Sequence, residues 1–165
     1  KEFAERCEDE KANLEKPLEV RSEIYSFQQD KNDAKPFKKM SKELGEKERI
    51  EAARILSSAP GGTTDFIPLE TINKNLDEDA KKKISEGELK KIVIVFTDGE
   101  SNDVDRTKKI LKTLRDNSVI VIGVGITKDS EETLETYAPN AKNPLKAEDL
   151  ASTLADLLKE HLANI

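Results

Sequence analysis

The chain has 165 residues, carries a net charge of −6 with a pI near 5.1, and is 38% charged but only 4% aromatic. That length suits one domain with one core, which must be aliphatic, and the acidic balance excludes nucleic acid, because it lacks the basic field that phosphate-backbone binding requires. One cysteine, Cys7, and one histidine, His161, exclude an intrachain disulfide and a zinc site of the usual Cys and His sets. No stretch approaches the roughly 18 apolar residues of a membrane-spanning helix. A lone cysteine fits a reducing cytoplasm without requiring one. The basic runs Lys38-Lys39, Lys81-Lys82-Lys83 and Lys90-Lys91 are flanked by acidic residues and read as solvated helix faces.

The chain opens at Lys1-Glu2-Phe3, without methionine and within a helical pattern that places Cys7 on the stripe of Phe3 as a small buried hydrophobe. Its natural start, with any targeting segment, is therefore expected upstream. Residues 18–28 alternate as a strand, with Val20, Ser22, Ile24 and Ser26 on one side. Pro36-Phe37 begins an antiparallel return. A helix is expected over residues 42–57, and a second over residues 66–84, with Pro68 tolerated in its first turn. Ile92-Val93-Ile94-Val95-Phe96 and Val119-Ile120-Val121-Ile122 are β-branched runs of the kind found in central strands of a parallel sheet. Between them, Val104, Ile110, Leu111 and Leu114 form a helical stripe that Asn102 or Asp103 can cap. The result is a right-handed β-α-β unit. Residues 130–137 read as a short helix capped by Ser130, residues 143–147 as a short edge strand, and Leu150, Leu154, Leu157, Leu158 and Leu162 as one face of a last helix. His161, in its final turn, suits the helix dipole without catalytic duty.

Asp98 follows the strongest strand at its C-terminal end, where open α/β sheets place their ligands. The same edge should receive Gly61-Gly62-Thr63-Thr64-Asp65. Two glycines allow strained turns, and the hydroxyls of Thr63 and Thr64 and the Asp65 carboxylate are hard oxygen donors. Oxygen donors without His or Cys point to Mg2+, Mn2+ or Ca2+ as the metal. For Asp65 the better reading is a helix N-cap.

The strand-loop from Ile92 through Thr97-Asp98-Gly99-Glu100-Ser101, preceded by Gly61-Gly62-Thr63 and followed by Val119-Ile120-Val121-Ile122-Gly123-Val124-Gly125-Ile126, resembles the von Willebrand factor A family, especially its prokaryotic members. The likeness continues into Tyr137-Ala138-Pro139 and Asp149-Leu150. It implies a Rossmann-like, three-layer α/β/α fold with a mostly parallel sheet and one antiparallel edge strand, here as a single domain over residues 1–165 lacking its first strand. It also implies a metal-ion-dependent adhesion site built from an Asp-x-Ser-x-Ser motif, a threonine and an aspartate on three loops. By motif position Thr63 matches the threonine, with Thr64 as the alternative, and Asp98 matches the aspartate, while Glu100 and Ser101 shape the loop. No Asp-x-Ser-x-Ser occurs in the chain. The resemblance thus implies a truncated member that binds Mg2+ (or Mn2+ or Ca2+) weakly or not at all by itself.

The function so implied is non-enzymatic: a bound cation accepts a carboxylate from an Asp or Glu of a partner protein, which for prokaryotic members includes AAA-type ATPases. Two rivals stand beside it. A haloacid-dehalogenase-like Mg-dependent phosphotransferase would use Asp98 as nucleophile, but it wants a second aspartate two residues on, where Glu100 stands. The other rival is a structural domain of the same family without a working metal site. Gly123-Val124-Gly125 is a weak nucleotide motif, since Lys128 occupies the place of the third glycine, and these glycines are expected to relieve crowding at a strand end.

Overall fold

A computed structural model describes residues 19–27, 36–43, 45–47, 50, 62–126, 131–143 and 149–162. They fall into two compact units. In the first, β1 (Ser22–Tyr25) and β2 (Pro36–Ser41) form an antiparallel ribbon whose register shifts on both sides of Ile24. Both strands were expected, but Lys38 was not expected to be buried. It is 1% exposed on β2, and its ammonium donates to the carbonyl oxygens of Ser22 at 2.5 Å and Ser41 at 3.1 Å and to the Ser41 hydroxyl at 3.0 Å. The solvated helix face predicted for Lys38-Lys39 is therefore corrected: a buried cation persists here because oxygen acceptors surround it.

The second unit holds α1 (Phe66–Lys74), α2 (Glu78–Ser85), β3 (Ile92–Thr97), α3 (Val104–Asp116), β4 (Ile120–Gly125), α4 (Glu131–Tyr137), β5 (Ala141–Lys142) and α5 (Leu150–Leu162). β3, β4 and β5 form a parallel sheet in that order. The single helix predicted over residues 66–84 is two. Asn75 closes the first through its backbone N–H, and the Asp77 carboxylate accepts from the Ala80 N–H at 2.8 Å to start the second, so a local capping bond overrides the continuing apolar period. On α2 the basic run is solvated as expected, with Lys81 on Glu78 and Lys83 on Asp79. The cap of α3 is Asp103, accepting from the Arg106 N–H at 3.0 Å.

β4 is the central strand and is covered on both faces. Ile122 and Val124 pack with Leu157 of α5 on one side, while Gly123 on the other side lies against the Tyr137 ring of α4. This is the helix-sheet-helix layering the sequence predicts. Among the described residues β3 pairs only with β4, as expected of a sheet lacking its first strand, and Val93, Val95 and Thr97 are buried while Phe96 is 39% exposed. A short strand lies at Ala141–Lys142, parallel to β4, and of the edge strand expected over residues 143–147 only Asn143 is among the described residues. Residues 144–148 lie outside the described residues, as do Cys7, Gly61, Ser130 and most of the helix expected over residues 42–57. The Lys90 ammonium donates to the His161 carbonyl at 2.7 Å, a bond to the last turn of α5 that involves the His161 backbone.

Candidate functional site

β3 and β4 run in step and end together, Thr97 opposite Gly125, so their following loops leave the same C-terminal edge of the sheet. The β3 loop turns at once. The Thr97 hydroxyl accepts from the Gly99 N–H at 3.3 Å and donates to the Gly99 carbonyl at 2.8 Å, leaving Asp98 exposed at the edge. From the other direction, Gly62 has φ 124°, a conformation that side-chain-bearing residues rarely adopt, and it carries the chain into Thr63. Asn102 then clamps Thr63 twice: its side-chain oxygen accepts from the Thr63 N–H at 3.0 Å, and its own N–H donates to the Thr63 carbonyl at 2.8 Å. The Thr63 hydroxyl oxygen lies 3.9 Å from where a Cβ on Gly99 would sit. Thr63 is therefore brought against the turn that carries Asp98, as the topology predicts, with Thr64 buried beside it.

Asp65 corrects the sequence reading. It occupies the residue before α1, but its side chain makes no capping bond and is 1% exposed. One carboxylate oxygen accepts from the Ser101 hydroxyl at 2.5 Å and the Thr107 hydroxyl at 3.1 Å, and the other accepts from the Tyr137 phenol. The Ser101 and Thr107 hydroxyl oxygens also lie 2.8 Å apart, with either able to donate to the other. Tertiary donors outcompete the local cap because they satisfy a carboxylate that burial would otherwise leave bare. Sequence reasoning missed Asp65, Thr107 and Tyr137 as site residues and gave Ser101 only a loop-shaping part. The sequence carried no local signal for this cluster, because its members lie 36, 42 and 72 residues from Asp65.

Burial first, and then the Asp65 charge and hydrogen bond, push the Tyr137 phenol well above its ordinary value of 10.0. The folded state keeps a proton that the unfolded chain releases above about pH 10. Stability from this group is therefore full below pH 10 and falls as pH rises, by about 1.4 kcal/mol per pH unit for one proton. Denaturant titrations between about pH 9 and about pH 11 should show this slope in the wild type and a shallower one in Tyr137→Phe. Equal slopes would remove Tyr137 as the source.

On the rim, Arg106 grips Glu70 with both arms, at 2.6 and 2.7 Å, and stacks over Phe66 at 4.4 Å. This pair ties the first turn of α3 to α1. Among the described residues no group of three or more His, Cys, Asp or Glu side chains could form a metal cage.

The sequence matches the profile of the von Willebrand factor type A domain over residues 3–160. The chain belongs to the von Willebrand factor type A domain family. It is similar to the collagen alpha-5(VI) chain of Homo sapiens, 30% identical over 96 residues, which is 58% of this chain and 4% of that protein. It is likewise similar to an uncharacterized protein of Treponema pallidum (strain Nichols), 27% identical over 137 residues, or 81% of this chain and 23% of the relative. The collagen alpha-5(VI) chain of Mus musculus is 30% identical over 79 residues, 46% of this chain and 3% of that protein. The chain thus spans less than a quarter of each of these relatives. Von Willebrand factor A domains act as protein-interaction modules, often through a divalent cation, and the parallel sheet with flanking helices is the α/β architecture of that family.

Proposed function

We propose that this von Willebrand factor A domain is a cation-dependent protein-binding module in which Thr63 and Asp98 hold a divalent metal ion. The observation that carries the reading is the double clamp of Asn102 on Thr63, which sets the Thr63 hydroxyl against the Gly99 turn beside Asp98. A neutral hydroxyl and a carboxylate, with no cysteine or histidine among the donors, suit Mg2+, Mn2+ or Ca2+. The two side chains fit such an ion in kind and supply part of its coordination. A cation held by few anionic ligands keeps an open position that a carboxylate can fill. The ligand is accordingly an Asp or Glu of a partner protein, and an AAA-type ATPase is the partner class that prokaryotic members suggest by analogy. In the chain, Asn102 orients Thr63, the Thr97 turn presents Asp98, and Glu100 flanks the loop. The third donor loop, an Asp-x-Ser-x-Ser, is not among the 165 residues. Affinity of this chain alone is therefore expected on the order of millimolar.

Electron paramagnetic resonance with Mn2+ as probe tests the assignment. The wild type should bind Mn2+ in that range, and Asp98→Ala should weaken it by about tenfold or more. Unchanged Mn2+ binding by Asp98→Ala would sink the assignment.

A further inference from the structure

We propose that Asp65 is the anchoring anion of this site, a positioning residue that raises cation affinity from behind Thr63 without touching the ion. The inference rests on the cation reading above and adds a group to it that neither the motif nor the family match assigns.

Both oxygens of the Asp65 carboxylate are already engaged by hydroxyl donors, so it is not placed to serve as a ligand. Those donors come from three separate segments: Ser101 in the loop after β3, Thr107 in α3 and Tyr137 in α4. Asp65 lies two residues beyond Thr63, and Ser101 adjoins Asn102, the residue that clamps Thr63. Through the Ser101 and Thr107 hydroxyls the buried carboxylate fixes the Thr63 loop onto the β3 loop, and the Tyr137 phenol secures it to α4. The same group carries charge. None of its hydrogen-bond partners among the described residues is cationic, and an anion in a low-dielectric interior is screened far less than one in water. Asp98 supplies the one formal charge among the two proposed ligands, and the Asp65 charge, two residues beyond Thr63, adds to it. Groups that orient or polarise a metal's ligands commonly change affinity by about 10-fold to 100-fold.

The experiment follows Mn2+ binding by electron paramagnetic resonance, well below the melting midpoint of each variant, with the midpoints measured in parallel. Asp65→Asn keeps the shape and removes the charge, and is expected to weaken Mn2+ by about tenfold. Thr107→Val removes one donor and should weaken binding severalfold, whereas Thr107→Ser keeps the hydroxyl and should restore near-wild-type affinity. If Asp65→Asn and Thr107→Val fold and bind Mn2+ like the wild type while Asp98→Ala loses it, Asp65 is a structural residue only and the proposal is overturned. Should Asp65→Asn fail to fold, the Thr107 pair decides alone: equal Mn2+ affinity in the Val and Ser variants overturns the proposal. Retention of Mn2+ by Asp98→Ala would remove the cation reading itself, and the role of Asp65 with it.

Discussion

Gly123→Ala is expected to destabilise the domain by about 3 kcal/mol or more, among the largest effects available to a single methyl group. A Cβ at position 123 would sit 2.4 Å from the Cβ and 2.5 Å from the Cγ of Tyr137. Real side chains do not approach so closely, and neither party can step aside. Tyr137 is 1% exposed and tied at both ends, its phenol to Asp65 and its carbonyl to an Arg115 guanidinium N–H at 2.8 Å. Gly123 itself is paired with Val95 and Ala141 in the middle of the sheet. Relief requires α4 to lift from β4, which strips the phenol from Asp65. Urea unfolding with far-ultraviolet circular dichroism would measure the loss, and Gly123→Ala within about 1 kcal/mol of the wild type would contradict the packing described.

Asp65→Ala is expected to cost about 3 kcal/mol, because it leaves the Tyr137 phenol buried without its acceptor and loosens Ser101 and Thr107. The more telling measurement is a double-mutant cycle. Tyr137→Phe alone removes a donor from a buried carboxylate, so each single change strands a partner, while the double variant strands neither member of that pair. The double loss should therefore be smaller than the sum of the singles by about 1 kcal/mol or more. Strict additivity in urea unfolding would mean that the phenol and the carboxylate do not depend on one another.

The parts of this molecule that were legible in the sequence are those fixed by neighbours along the chain. Unbroken β-branched runs marked β3 and β4, the stripe ending at Leu114 marked α3 with Asp103 before it, and Leu157 marked the buried side of α5. The meeting of Thr63 with the Asp98 turn was also foreseeable, since open α/β sheets gather their ligand-binding loops at the C-terminal edge of the strands. What escaped was long-range. Asp65 finds its partners 36, 42 and 72 residues away, and a local reading offers it only the start of α1. The break between α1 and α2 escaped for the opposite reason. Buried Leu76 and Ile84 keep an apolar rhythm going across Asn75–Asp77, and the rhythm hid a capping bond only three residues long. Buried Lys38 escaped because its acceptors are backbone and hydroxyl oxygens, which composition does not reveal.

The in-step pairing of β3 with β4, from Ile92 opposite Ile120 to Thr97 opposite Gly125, acts as a ruler for everything above it. One residue added inside β3 would advance the rest of the strand by about 3.3 Å and turn its later side chains to the opposite face. Asp98 would then overshoot Thr63, and Asn102, four residues further along the same loop, would lose its register with the Thr63 backbone. One residue added where α3 hands over to β4, at Asn117–Ser118, would fall in a turn and leave that ruler unread. Tolerance to insertions and deletions should therefore be sharply uneven across this domain: generous along its helical connections, and close to nil over the six residues of β3.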